Sequence, residues 1–261
     1  MANLTIRYFS NCLCRHTTFQ MYLPAGFKAD IPDETNEYAK RETKTLFLLH
    51  GYTGDAGNWV PEYLADKYNF AIVIPTGENG FWLDGLSTGH KFGSMLGEEL
   101  IGYVRKVFGL AMRKEDTYIM GMSMGGFGAI HTALYYPEVF GTAAGLSSAL
   151  IVHQVAGMKE GDENPMANYA YYRECFGDLS KVLESDNNPE TLVKKIKAEG
   201  KEMPRLLVCC GTEDFLIENN REFHRFLETE GVDHIYNESK GQHDMDYWNE
   251  YVQKYVPIMF G

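Results

Sequence analysis

Between Tyr118 and Pro137 the chain reads YIMGMSMGGFGAIHTALYYP, and the architecture follows from that segment. Tyr118–Met120 is an apolar run suited to a buried strand, and Gly126–Tyr135 is a helix-forming stretch stopped by Pro137. The join between them is Gly121-Met122-Ser123-Met124-Gly125, a Gly-x-Ser-x-Gly pattern. Such a join must turn sharply from strand to helix and lift the serine oxygen clear of the sheet. Glycines two residues before and two after the serine remove side chains that would collide in the turn. The helix that follows brings unpaired amides and the positive end of its dipole beside Ser123.

Outward from this segment, short apolar runs alternate with amphipathic ones. Residues 45–50 (TLFLLH), 70–74 (FAIVI), 142–146 (TAAGL) and 205–210 (RLLVCC) are apolar on both faces, as strands of a covered parallel sheet must be. Residues 4–9 and 16–23 read as an antiparallel pair. Leu96, Leu100, Val104 and Val107 form one helical face. Asn188-Pro189-Glu190, then Leu192, Val193, Ile196 and Gly200, read as cap, first turn, apolar stripe and stop. Tyr247, Trp248, Tyr251, Val252 and Tyr255 mark a last helix. Strand-then-helix alternation implies an α/β fold around a wound, mostly parallel sheet with helices on both faces. Residues 152–203 interrupt it without a strand run. They are expected to form a cap or lid within one domain spanning residues 1–261.

The chain has 36 acidic and 24 basic residues, a net charge of −12. That sign repels phosphate backbones and anionic bilayers, so neither nucleic acid nor membrane is an expected partner. No window approaches 18 continuous apolar residues, and the opening MANLTIRYFSNCLCRHTTF lacks the apolar core of a secretory signal. Five cysteines, two of them adjacent (Cys209, Cys210), then suit reduced thiols in the cytoplasm. Cys12-x-Cys14-x-His16 places donors on one face of a strand but has no second ligand pair at zinc spacing, so no metal is expected.

A serine alcohol needs a base held in one tautomer by a carboxylate. On a wound sheet the three follow in the order serine, acid, histidine. That order leaves His224, His234 and His243. His224 falls on a solvated helical position, His234 enters a strand, and His243 sits in the loop Lys240-Gly241-Gln242-His243-Asp244, where a base must be. The 205–210 strand ends in Gly211-Thr212-Glu213-Asp214-Phe215. Only one of the neighbouring Glu213 and Asp214 can orient the imidazole; the shorter Asp214 is preferred, and an acidic turn or helix cap is its alternative. Backbone amides for a developing oxyanion fall at Met124 and, in His50-Gly51-Tyr52-Thr53-Gly54, at Tyr52. Gly85-Leu86-Ser87-Thr88-Gly89 repeats the serine pattern, yet no strand precedes it, so it is read as a loop.

These segments together resemble the putative-esterase family of α/β hydrolases: Leu48-Leu49-His50-Gly51, Phe81-Trp82-Leu83-Asp84, Gly121–Gly128, Gly211–Asp214 and Gly241–Asp244. The family includes tributyrin, acetyl and feruloyl esterases, S-formylglutathione hydrolases and mycolyltransferases. The resemblance implies the α/β-hydrolase fold, Asp214 as the acid, and the Tyr52 and Met124 amides as oxyanion donors. Met122 and Phe127 depart from the GHSMGGHG of S-formylglutathione hydrolases, and the tributyrin esterase branch is the better match.

The implied activity is serine carboxylesterase action on short acyl esters, acetyl to butyryl, without cofactor or metal. Its rivals are a feruloyl or acetylxylan esterase acting on plant polysaccharide esters, an S-formylglutathione-hydrolase-like thioesterase, and a binding module on the same sheet without a working triad. Trp82, Trp59, Phe127 and the Tyr169–Tyr172 run are candidates for the substrate pocket, with core packing as the alternative. The expected partners are a small-molecule ester and, at most, a homo-oligomer of the same chain.

Overall fold

The computed structural model describes residues 2–24 and 36–261, leaving residues 1 and 25–35 of the expected domain outside the described part. Its strands are β1 (Ala2–Ser10), β2 (Arg15–Leu23), β3 (Lys44–Leu49), β4 (Phe70–Pro75), β5 (Thr117–Met122), β6 (Thr142–Leu146), β7 (Arg205–Gly211) and β8 (His234–Ser239). They form one sheet in the order β1-β2-β4-β3-β5-β6-β7-β8. The β1–β2 and β2–β4 pairs are antiparallel, and the other five pairs are parallel. Burial explains the composition. Every residue of β4, β5 and β6 is buried, whereas the outer strand β1 alternates between half-buried and exposed.

Helices cover both faces. On one lie α1 (Glu62–Tyr68) and α9 (Met245–Phe260), packed on Leu46, Leu48, Ile72 and Met120. On the other lie α2 (Phe92–Ser94), α3 (Ile101–Phe108), α4 (Met124–Tyr135), α5 (Val152–Val155), α6 (Tyr169–Phe176), α7 (Pro189–Ala198) and α8 (Ile217–Thr229), whose apolar side chains join a core with Phe47, Val73 and Ile119. Residues 152–203 hold α5 to α7, and α7 packs on α4. The cap of α7 is as the sequence implies: Asn188 Oδ1 accepts the Glu190 amide at 3.1 Å, and Leu192, Val193 and Ile196 are buried. No helix of the described residues is long and apolar enough to cross a membrane.

Two local expectations are corrected. Val107 is 53% exposed, and Phe108 packs on the core instead. Met95–Leu100 winds as a π-helical stretch; in the α-helical part that follows, the four-residue step from buried Val104 to Phe108 points inward and the three-residue step to Val107 does not. Cys12 and Cys14 do not share a strand face with His16; they lie in the turn between β1 and β2, where the Cys14 amide donates to Asn11 O at 3.3 Å and Cys14 takes φ 51°. Cys209 and Cys210 are both buried in β7.

The helix behind the serine turn carries one histidine. His131 on α4 is buried, its Nε2 lies 2.8 Å from Asp186 O, and burial pushes its pKa down from 6.5 to about 4. Because the unfolded chain takes up this proton first, the associated stability is present above pH 6.5 and is lost as the pH falls toward 4. The gap corresponds to about 3 kcal/mol. Urea unfolding at pH 7, 6, 5 and 4 should therefore show a decline beginning near pH 6.5, and His131→Gln should flatten its first part.

Candidate active site

The carboxyl ends of the parallel strands converge on one point. At the end of β5, Ser123 has φ 55° and ψ −120°, a conformation L-residues avoid. Its backbone is bound on both sides: its amide donates to Leu146 O at 2.8 Å, and its carbonyl accepts from the Phe127 and Ala149 amides at 3.1 and 2.9 Å. The two flanking glycines are there for space. A Cβ on Gly121 would sit 2.0 Å from Gly125 O, and one on Gly125 would sit 2.4 Å from Leu49 O.

The loop after β8 brings His243 to this serine. Its Nε2 lies 3.0 Å from Ser123 Oγ, and its Nδ1 lies 2.9 Å from Asp214 Oδ2 in the loop after β7. With Nδ1–H facing a carboxylate, Nε2 is free to accept the serine proton. The Asp214 side chain is fully buried, and its other oxygen accepts the Leu216 amide at 2.9 Å. It thus orients the imidazole and caps its own loop at once, two roles the sequence presents as alternatives. Burial alone would raise its pKa; the bonds from His243, the Leu216 amide and the Ser147 hydroxyl outweigh this and hold the carboxyl below its ordinary value. Glu213 points elsewhere, half-exposed, 3.9 Å from Lys240.

Ser147 and Trp248 are neighbours that sequence reading missed. Trp248 Nε1–H donates to Ser147 Oγ at 3.1 Å, which leaves the hydroxyl proton for Asp214. The Trp248 ring also meets the His243 ring edge-on at 5.0 Å. The other candidates lie apart from this group. His224 is not simply solvated: its Nδ1 lies 2.7 Å from Nε2 of His234, and its ring stacks on Tyr236. Ser87 bonds Glu174 through both its amide and its hydroxyl at 2.9 Å, tying its loop to α6.

The loop after β3 that holds Gly51 and Tyr52 abuts the serine, since a Cβ on Gly51 would sit 3.3 Å from Ser123 Cβ. His50 shapes it. The Gly77 amide donates to His50 Nε2 at 2.9 Å, so the ring proton sits on Nδ1 and is given to Gly51 O at 2.8 Å. In a trans peptide the following amide points the opposite way, so pinning the Gly51 carbonyl turns the Tyr52 N–H outward. Burial lowers the His50 pKa, which keeps the ring neutral and this arrangement intact. Neither the Tyr52 nor the Met124 amide donates to an acceptor among the described residues.

A cavity opens beside Ser123 and is lined by Tyr52, Phe81, Met166, Tyr171, Tyr172 and Phe215, among others. No charged side chain among the described residues lines it. Of the Tyr169–Tyr172 run, Tyr171 and Tyr172 line it; Trp82, Phe127 and Trp59 do not. Trp82 is wholly buried, pressed against Gly77 and Gly128 with its Nε1 3.4 Å from His50 O. Phe127 is wholly buried one layer behind Phe81, with ring centroids 5.6 Å apart. Trp59 packs against the core of the opposite face of the sheet. Trp82 and Phe127 fill volume beneath the site, whereas Tyr52, Phe81 and Phe215, from motif segments too, join Tyr171 and Tyr172 in lining it.

The family model described as Putative esterase matches residues 10–257. An acetyl esterase of Caldicellulosiruptor saccharolyticus is 40% identical over 258 residues, 97% of this chain and 96% of that protein. The fluorophosphonate-binding serine hydrolase F of Staphylococcus aureus superposes with a TM-score of 0.83 at 26% identity, covering 100% of this chain and 98% of that one. The S-formylglutathione hydrolase FrmB of the same organism gives 0.81 at 26% identity, with coverage of 100% and 99%.

A fluorophosphonate probe should label Ser123, as read by mass spectrometry of the modified peptide. Asp214→Asn should slow labelling by about 10³–10⁴-fold, whereas Glu213→Gln should leave the rate within about twofold. Equal effects of the two substitutions would reverse the assignment of the orienting acid.

Proposed function

The chain belongs to the Putative esterase family and has its α/β-hydrolase fold, and on that premise we propose that it is a serine carboxylesterase acting on short acyl esters, acetyl to butyryl, through Ser123, His243 and Asp214. The observation that carries the reading is the unbroken contact from Ser123 Oγ through the imidazole to a buried carboxylate, at 3.0 and 2.9 Å. His243 Nε2 takes the Ser123 proton as Oγ bonds to the ester carbonyl carbon. The Tyr52 and Met124 amides hold the oxyanion, and Asp214 stabilises the imidazolium. The carbon–oxygen bond to the alcohol then breaks while Nε2–H delivers its proton to the departing oxygen. Water, deprotonated by His243, attacks the acyl-serine and releases the acid, restoring the Ser123 hydroxyl.

Two observations support a short, uncharged acyl group. The cavity beside Ser123 carries no charged wall among the described residues, and a relative at 40% identity is an acetyl esterase. The aromatic walls Tyr52, Phe81, Tyr171 and Tyr172 favour hydroxycinnamoyl esters as the second reading. Residues 152–203 serve in this proposal as a cap, since Met166, Ala167, Tyr171 and Tyr172 line the cavity. A cytoplasmic location completes it, on the strength of the unpaired cysteines among the described residues.

Nitrophenyl esters of increasing chain length, assayed alongside methyl ferulate, test the reading. Acetate to butyrate should give the highest kcat/KM, octanoate and methyl ferulate much lower values, and Ser123→Ala should lose about 10⁶-fold in kcat while unfolding at an unchanged denaturant midpoint. Methyl ferulate as the best substrate would replace the short-acyl reading with the hydroxycinnamoyl one.

A further inference from the structure

The cavity beside Ser123 is walled mostly by buried rings and chains, with Phe81, Ile151, Tyr172 and Leu216 each less than a tenth exposed. Phe215 differs: it is 66% exposed, and its ring centroid lies 4.6 Å from that of His243. Its backbone is nevertheless held on both sides. The Asp214 amide donates to Gly211 O at 3.1 Å, the Leu216 amide to Asp214 Oδ1 at 2.9 Å, and the Ile217 amide to Asp214 O at 3.1 Å. The fixed backbone places this exposed ring beside the imidazole, where an apolar group can pack on it.

The proton transfer decides which half of an ester reaches that surface. His243 must give its proton to the departing alcohol oxygen, so that oxygen lies about 3 Å from Nε2. The remainder of the alcohol then extends past the imidazole. Among the described residues, Phe215 and Trp248 are the two aromatic rings against that imidazole. Trp248 is 8% exposed and bonded to Ser147, so it faces the interior. Phe215 faces the cavity.

We propose that Phe215 is a specificity-determining residue for the alcohol half of the ester and stacks on an uncharged alcohol with a flat apolar face, an arylmethyl group being the simplest case. The inference rests on the esterase reading above and adds to it which side of the scissile bond this ring reads. The acyl half is left to the walls formed by Phe81 and the 152–203 segment.

Benzyl acetate and ethyl acetate share an acyl group and have alcohols of similar acidity, so their kcat/KM ratio reports the alcohol side. Ethyl butyrate against ethyl acetate reports the acyl side. The enzyme should prefer benzyl acetate, and Phe215→Ala should lower the benzyl-to-ethyl ratio about fivefold to tenfold, leaving the butyrate-to-acetate ratio unchanged. Phe215→Tyr, which keeps the ring, should retain the preference. An unchanged benzyl-to-ethyl ratio in Phe215→Ala, or a change confined to the acyl ratio, overturns the inference. Failure of the unmodified protein to hydrolyse any of the three esters would reject the esterase reading itself, and this inference with it.

Discussion

Ser123 keeps φ 55° and ψ −120° only because three strands end side by side around it. The sheet register pairs Leu49 of β3 with Gly121 of β5, and Met122 of β5 with Leu146 of β6. Leu146 O accepts the serine amide, and the loop after β6 returns the Ala149 amide to the serine carbonyl. Leu49 O presses so close to Gly125 that any side chain there would collide. Backbone strain of this kind costs on the order of 1–3 kcal/mol and persists only where its surroundings over-determine it. What the strain secures is position. The serine oxygen stands above the strand ends, facing the loops that carry His243 and Asp214.

Burial acts in opposite directions on the charged and neutral groups of the site. Asp214 is buried yet ionised, because it receives bonds from His243, the Leu216 amide and Ser147. His50 is buried and neutral, because its ring nitrogens are matched to one donor and one acceptor of the backbone. A protonated His50 would leave Nε2–H facing the Gly77 N–H, donor against donor. In the mechanism proposed above, the loop after β3 depends on a histidine that takes no proton, and the proton transfer on one that does. Their partners make the difference: backbone groups for His50, and a carboxylate and a serine for His243.

The two faces of the sheet share the aromatic residues unevenly between support and site. Trp82 and Phe127 fill the core directly beneath the cavity and touch Gly128 and Phe81. Phe81 at φ 51° turns out of that layer to line the cavity itself. The 152–203 segment supplies Tyr171, whose hydroxyl donates to Asn79 O at 2.6 Å, while the Asn79 side chain accepts the Thr53 amide at 2.8 Å. The 152–203 segment and the loop after β3 are thus joined through one asparagine.

The alternation of apolar runs and helical stripes, the turn at Ser123 and the cap at Asn188 are legible along the chain because each rests on sterics or hydrogen bonds within a few residues. The placement of His243 is legible for a related reason: a wound sheet leaves few loops at the correct end. Along the chain Asp214 is preferred to Glu213 only for its shorter side chain; which of the two faces His243 is decided by the fold of the loop, because adjacent residues point different ways. Val107 is hard to place because Val104 is followed by apolar residues both three and four positions on, and only packing decides which one turns inward; the Cys12–Cys14 turn ends β1 through a left-handed residue that leaves no mark in the hydrophobic pattern. The cavity walls lay furthest from view. Whether Trp82 or Phe215 meets a ligand is decided by which ring the two cores absorb, and that depends on the close packing of segments far apart in the chain, not on any property of the rings themselves.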